Sequence, residues 1–483
     1  MMYRKYLFFL LTCLFLNACS DDNNEPGVGG GDEDRPETLA WIEDTMRQHY
    51  LWNDKIKKAG ELNYTADPET FFTSLLYKNE DGKTGASGNH HYYSYIEKAT
   101  VDTRSFTTED YTYGFEFTTV VFNLQGSTTK IIGALILYLL PGTPAEEAGL
   151  KRGDWIIGID NNPITTQEDV MSLLGGTEKT FTIAQWDSKT NGFINSRHVP
   201  IGTATSVDYN PILTYDVIPR AGKQVGYLVY DRFMKGIDND NTVFDDQLRT
   251  LSSGLFSGVN EFVLDLRYNN GGLLSCVQLL CAILGPDHIL TAKRLGYLQY
   301  NDDSTGNFTA GKSHLGSTGK NLNLRRLFVL VSSTSASASE AVINLLDPFM
   351  EVIVIGEQTE GKNVASAPFT SDDKIWEMHP ITSKIFNSAD KSDYSNGWRP
   401  NVKMGDTFDY DDNGDITSIV DIYGLGDPNE RLLKTALEII DGKSYDEITT
   451  KSYAYPIEKV LGRGTINSLD RKATNGVIID IDQ

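Results

Sequence analysis

The chain has 483 residues, 43 basic and 66 acidic side chains, a net charge of −23 and 40% hydrophobic residues. That length predicts two or three domains, each able to bury a core of its own. The acidity opposes binding to nucleic acid or to bare anionic lipid headgroups, and otherwise describes a soluble surface.

Taken in chain order, the first elements are a processing segment. Arg4 and Lys5 form a short basic region, residues 6–15 are apolar but too few to span a bilayer, and Leu16-Asn17-Ala18-Cys19 follows. This order resembles a bacterial lipoprotein signal. The resemblance implies that residues 1–18 are a signal peptide and that cleavage leaves Cys19 as the lipidated residue. Several acyl chains would make such an anchor stable. The acidic run at residues 20–25 resembles the sorting stretch of surface lipoproteins in Bacteroides-like bacteria. It implies an outer-membrane anchor in the cell envelope with surface display. Residues 19–38, rich in acid, Gly, Asn and Pro, read as a flexible tether.

Helical spacing of Ile42, Met46, Tyr50 and Leu51 predicts a helix over residues 39–56. Asp67-Pro68 predicts a second helix start, with the carboxylate as cap and proline in the first turn. Residues 39–105 therefore form a small helical domain, in which His90-His91 reads as a surface pair in a polar loop. Strands are expected over residues 113–122, 130–139, 181–186 and 193–199. Between the second and third of these, residues 141–161 run Pro-Gly-Thr-Pro-Ala-Glu-Glu-Ala-Gly-Leu-Lys-Arg-Gly-Asp-Trp-Ile-Ile-Gly-Ile-Asp-Asn. They predict a short helix between tight turns, leading into a strand. This stretch resembles a PDZ domain over residues 106–204. The resemblance implies peptide binding by strand addition. Tyr113-Gly114-Phe115 matches the family's carboxylate-binding loop, with Thr112 where that loop often has another glycine.

Residues 205–450 alternate strands with helices, which indicates an α/β domain. Strands are expected at residues 225–230, 262–267, 327–331 and 351–356, with helices at 243–251, after Gly272, and between the last two strands. Cys276 and Cys281 are five apart on an apolar helix, the wrong spacing for a local bridge, and read as buried reduced thiols. Residues 409–415 superficially resemble a calcium loop. Val420 stands where the loop's closing glutamate belongs, so a polar hairpin turn is expected. No metal and no cofactor is required. Residues 451–483 are a C-terminal extension.

Three loops of the α/β region carry chemistry-bearing residues. Arg267 to Gly272 follows one strand, Ser332-Ser333-Thr334-Ser335-Ala336-Ser337-Ala338-Ser339-Glu340 follows another, and Gly356 to Lys362 a third. Functional loops gather at the carboxyl ends of strands in open α/β sheets. A small-residue turn between a buried strand and a helix suits an exposed nucleophile. Residue chemistry leaves Ser335, Ser337 and Ser339 as equal candidates.

The order Asp265-Leu266-Arg267, Gly271-Gly272, alternating serines, Gly356-Glu357 and Gly361-Lys362 resembles the S41 peptidases, the C-terminal processing proteases and their tricorn-like relatives. The resemblance implies a multidomain α+β fold: a small N-terminal helical domain, a PDZ domain and an α/β core of ClpP/crotonase-like character. It implies a serine endopeptidase with a protein or peptide substrate. Ser337 falls on the family nucleophile and Lys362 on the family base. Ala338 with Gly271 or Gly272 falls on the oxyanion donors. Ser366 stands where many relatives place the glutamine that orients the lysine, and inherits that position. Glu340 reads as a brace of its helix, and Arg267 as a structural brace of the glycine loop. The competing function is a noncatalytic, PDZ-containing peptide-binding or scaffold lipoprotein.

Overall fold

A computed structural model of the chain describes residues 35–84, 90–99, 111–123, 130–187, 189–190, 192–220, 222–237, 241–411, 415–445, 460–463, 468–469 and 477–479. The signal, Cys19 and most of the tether lie outside these. Among the described residues no helix is long and apolar enough to cross a membrane.

The first helix, Glu37–His49, is shorter than its apolar spacing predicts. It stops at Tyr50, which turns to extended backbone, and a single 3-10 turn at Asn53–Lys55 follows. Leu39, Ile42 and Met46 line its buried face. Pro68–Ser74 is capped as expected, with Asp67 Oδ1 accepting from Thr70 N at 2.9 Å. These two helices do not close a core alone. Phe71, Phe72 and Tyr50 pack with Val364, Met378 and Ile381 of the α/β region. The strand Tyr95–Lys98 pairs antiparallel with Trp376–His379. His90–His91 is a two-residue strand on Lys83–Thr84 rather than a loop.

The PDZ-like region is an antiparallel sheet ordered Phe115–Asn123, Lys130–Leu139, Trp155–Ile159, Lys179–Asp187, Gly192–Ile201. Pro144–Glu147 and Gln167–Met171 are its helices. The outer edge of Phe115–Asn123 is paired by a late strand, Val460–Arg463. This pairing is not visible in the local pattern of either segment.

The α/β core is a six-stranded sheet in the order Ile212–Arg220, Lys223–Tyr230, Glu261–Asp265, Arg326–Val331, Glu351–Gly356, Val402–Lys403. Its first pair is antiparallel and the remaining four pairings are parallel. Both faces are covered, which explains the continuous apolar runs of its central strands. Leu264, Val329 and Val331 face Leu274–Leu284 and Ala338–Leu346. Val263, Phe328 and Leu330 alternate to the other face, against Arg431–Ile440. Cys276 and Cys281 are buried in the first of these helices and form no disulfide. Phe408–Tyr410 and Ile416–Ile419 form a hairpin across the calcium-like run, whose residues 412–414 lie outside the described set.

Candidate active site

The strand Arg326–Val331 delivers the serine run to the helix Ala338–Leu346. At the joint Ser337 has φ 59° and ψ −107°. A non-glycine residue in this region is strained, and such strain persists only where the surroundings hold it. The neighbouring serines supply that hold. Ser335 Oγ donates to Leu266 O at 2.8 Å and Ser339 Oγ donates to Asn269 O at 2.9 Å. Thr334 Oγ1 donates to Arg267 O at 3.1 Å, and Ser332 Oγ donates to the same oxygen. Two of the three candidate serines are thus committed to stitching the turn onto residues 266–269. Ser337 is the one whose Cβ faces the glycine loop: a Cβ placed on Gly271 would lie 3.0 Å from it.

That contact, together with φ 119°, is why residue 271 is glycine. Gly271 N–H donates to Asn269 Oδ1 at 2.9 Å. Among the described residues the N–H groups of Gly272 and Ala338 have no hydrogen-bond partner. Of the two expected glycine donors, Gly272 therefore has the uncommitted N–H.

The third loop is tied to the second by Glu340. Its carboxylate is fully buried and accepts four hydrogen bonds. Oε1 takes Thr359 Oγ1 at 2.5 Å and Gly361 N at 2.6 Å. Oε2 takes Ser337 N at 2.8 Å and Lys362 N at 2.8 Å. One oxygen therefore holds the main chains of both Ser337 and Lys362. Burial pushes the carboxyl up to about 7, and the donors from Thr359, Ser337, Lys362 and Gly361 oppose a larger rise. Glu340 does brace its helix, and it also fixes the serine and lysine loops against each other.

Lys362 is buried. Burial lowers its pKa to about 8, against the pull of Asp81, Glu360 and Glu340. Its Nζ lies 4.8 Å from the centre of the Tyr93 ring, a cation–π position. Tyr93 and Asp81 come from the N-terminal domain, and neither is singled out by sequence reasoning. Asp81 is fully buried; its Oδ1 accepts from Tyr93 N and Ser94 N, both at 3.0 Å, and its Oδ2 accepts from Tyr50 OH at 2.8 Å. The exposed His91 places Nε2 3.2 Å from Glu360 Oε1. A cavity of about 850 Å³ between this domain and the core is lined by Tyr93, and by Gly361 and Asn363 on either side of Lys362. Ser366 is buried four residues on, in the strand Val364–Ser366.

Arg267 is fully buried, with Nη1 2.6 Å from both Asp406 Oδ1 and Glu430 Oε1 and Nη2 2.7 Å from Asp265 Oδ2. Arg152 of the PDZ-like region reaches the same Asp406 Oδ1 at 2.6 Å and also contacts Tyr268 OH. Burial works to raise the Asp406 pKa, and Arg152 and Arg267 more than reverse it, holding it well below the usual range.

The segment Tyr113-Gly114-Phe115, expected to be the carboxylate loop, is bonded and packed within the PDZ-like region. Tyr113 and Phe115 turn into the core of the region, and Gly114 N donates to Thr112 Oγ1 at 3.1 Å. Threonine at position 112 closes over the amide that an incoming carboxylate would need. For metal binding, Glu97, Glu377 and His379 bring ligand-type atoms within 4.8 Å of one another, with His379 Nε2 2.8 Å from Glu377 Oε1 as an imidazole–carboxylate contact.

Fold and site together define a PDZ-bearing, multidomain α+β protein with a serine elbow and a buried lysine on adjoining loops of an α/β sheet. Residues 224–404 match peptidase family S41, residues 37–95 the peptidase S41 N-terminal domain and residues 135–185 a PDZ domain. A Bacteroides fragilis protein designated an S41 protease in its crystal structure is 31% identical, with a TM-score of 0.71, over 83% of this chain and 97% of that one. A carboxyl-terminal-processing protease of Picosynechococcus sp. is 29% identical over 244 residues, 49% of this chain and 53% of its own. The chloroplastic carboxyl-terminal-processing peptidase 1 of Arabidopsis thaliana is 27% identical over 243 residues, 48% and 45% respectively. The chain spans about half the length of these curated relatives. The chain belongs to peptidase family S41.

Proposed function

We propose that the protein is a serine endopeptidase that cleaves protein or peptide chains by acyl transfer, with Ser337 as nucleophile and Lys362 as general base. Ser337 Oγ attacks the scissile carbonyl carbon while its proton passes to neutral Lys362 Nζ. The N–H groups of Ala338 and Gly272 receive the developing oxyanion. Collapse expels the amine, which takes the proton from Lys362. Water, deprotonated by the same lysine, then releases the acyl group and restores Ser337. Ser366 is proposed to orient the lysine. The observation that carries this reading is the Glu340 oxygen holding Ser337 N and Lys362 N at 2.8 Å each, beside a lysine whose pKa is lowered to about 8 by burial. A lysine at its ordinary value near 10.4 is a poor base at neutral pH.

A fluorophosphonate probe tests the nucleophile. The intact protein is expected to label and Ser337→Ala to remain unlabelled; equal labelling of the two removes Ser337 from the role. The PDZ-like region is proposed to help present a flexible segment of the substrate by strand addition. The enzyme is further proposed to be anchored in the outer membrane through acylated Cys19. Cys19→Ser should then move it from the detergent phase to the aqueous phase in a Triton X-114 partition.

A further inference from the structure

Strand addition to the PDZ-like region requires the open edge of Phe115–Asn123. In this chain a late segment already fills it. Val460 sits opposite Phe122 and Arg463 opposite Val120 in antiparallel pairing. Ser468 continues along the same edge: its hydroxyl accepts from Phe117 N at 2.7 Å and donates to Phe117 O at 3.1 Å. Leu469 is buried with Leu137, Tyr138 and Tyr268, and its carbonyl accepts from Asn270 Nδ2 at 3.3 Å. Further along, the segment meets the catalytic loops. Val477–Ile478 pairs in parallel with Val364–Ser366. Ile478 N donates to Gly272 O at 3.1 Å, and Ile479 N donates to Ser366 O at 3.0 Å.

The contacts fall in sequence order: PDZ edge, glycine-loop asparagine, then the space between Gly272 and Ser366. The pairings at residues 460–463 and 477–479 and the Leu469 carbonyl contact use the segment's main chain, as another polypeptide could, while the Ser468 hydroxyl and the Leu469 side chain are its own anchors. From them we infer that residues 460–463, 468–469 and 477–479 occupy the path of a polypeptide substrate and act as an internal competitor that must leave before a substrate strand can pair. The inference rests on the peptidase reading above for what the path is used for. The pairing itself is independent of chemistry. An internal segment competes at an effective concentration on the order of millimolar. Displacing it should therefore lower KM and leave kcat largely unchanged.

The test uses the full chain. Ile478→Pro removes the N–H given to Gly272, and Leu469→Asp places a charge against Tyr138 and Tyr268. Each is made separately in a Ser337→Ala background, so that a folding failure of one leaves the other to decide; folding is checked by near-UV circular dichroism. The probe is a fluorescein-labelled synthetic peptide with the sequence of residues 460–483, read by anisotropy. Binding at least tenfold tighter to the released variants than to the Ser337→Ala parent is expected. Equal binding to parent and folded variants overturns the internal competitor. With Ser337 restored, casein turnover by the released variants should show KM about tenfold lower and kcat within twofold. Absence of turnover in every variant, alongside the gain in peptide binding, overturns the peptidase reading and leaves the competitor standing.

Discussion

At Lys362 the four-carbon stem and its amine are enclosed by Tyr93, the Glu340-held loop and the strand that follows. The folded pKa of about 8 lies below the ordinary 10.5, so the folded state gives up its proton first. Between those two values the unfolded chain binds more protons, and stability rises with pH across that window. Below about pH 8 the full cost of burying the ammonium is present, roughly 3 kcal/mol at 1.36 kcal/mol per unit. Lys362→Met is therefore expected to raise the thermal midpoint at pH 7 while abolishing turnover. With Lys362 as the proposed base, which acts only when neutral, kcat/KM should climb about tenfold per pH unit below an apparent pKa near 8 and level off above it. A flat profile from pH 6 to 9 would remove Lys362 as the base. Glu340→Gln puts an NH₂ group against backbone donors and should cost about 1–3 kcal/mol in urea denaturation, with slower fluorophosphonate labelling. The serine run shows what residue-level reading reaches. The spacing of small residues marks the elbow, but Ser335, Ser337 and Ser339 are chemically alike. Only the backbone oxygens of residues 266–269, brought in from a neighbouring strand, separate two stitching hydroxyls from the third. Asp81 and Tyr93 carry no local signal, because their part depends on a chain reversal some 270 residues long.

At the scale of elements, the two loops around Ser337 are built for close approach. Gly271→Ala would place a methyl 3.0 Å from Ser337 Cβ at φ 119°. The strained backbone alone costs about 1–3 kcal/mol. The expected result is a lower melting temperature and probe labelling slowed more than tenfold; unchanged labelling would show the loop free to shift. The strands of the sheets stand close to where β-branched runs and turn residues predict them, since a core strand covered on both faces is apolar throughout. Helix lengths are read less well. Tyr50 ends the first helix because its hydroxyl is drawn to Asp81, a contact that lies beyond any local window. The two-residue strand at His90–His91 is set by its partner Lys83–Thr84 and not by its own composition.

At the scale of the molecule, the PDZ-like region and the core share one buried ionic cluster. Arg152 and Arg267 meet on Asp406, and Arg267 also bonds Asp265 and Glu430. Removing one partner of a buried pair leaves an uncompensated charge, at a cost of about 3–5 kcal/mol. Asp406→Ala should therefore shift the urea midpoint of the core strongly, whereas Asp154→Ala, facing the half-exposed Arg197, should shift it little. Helical spacing and the alternation of strands with helices point to the helical and α/β regions, and the PDZ-like region is read through its family resemblance. The joints are not legible in the sequence, because Arg152, Asp406 and Glu430 each look like ordinary surface charges in their own segments.

That ionic joint has a metrical consequence. It ties the PDZ-like region, through Arg152, to Arg267 at the start of the loop that carries Gly272. Ser468, bonded at Phe117, and Ile478, bonded at Gly272, are ten positions apart in the sequence. On the proposed strand-addition reading, a joint of this kind makes the PDZ edge a ruler. Substrates held at that edge are expected to be cut at a constant distance from the held residues, whatever the sequence between, and mass spectrometry of products from peptides with lengthened or shortened spacers would read the graduation directly.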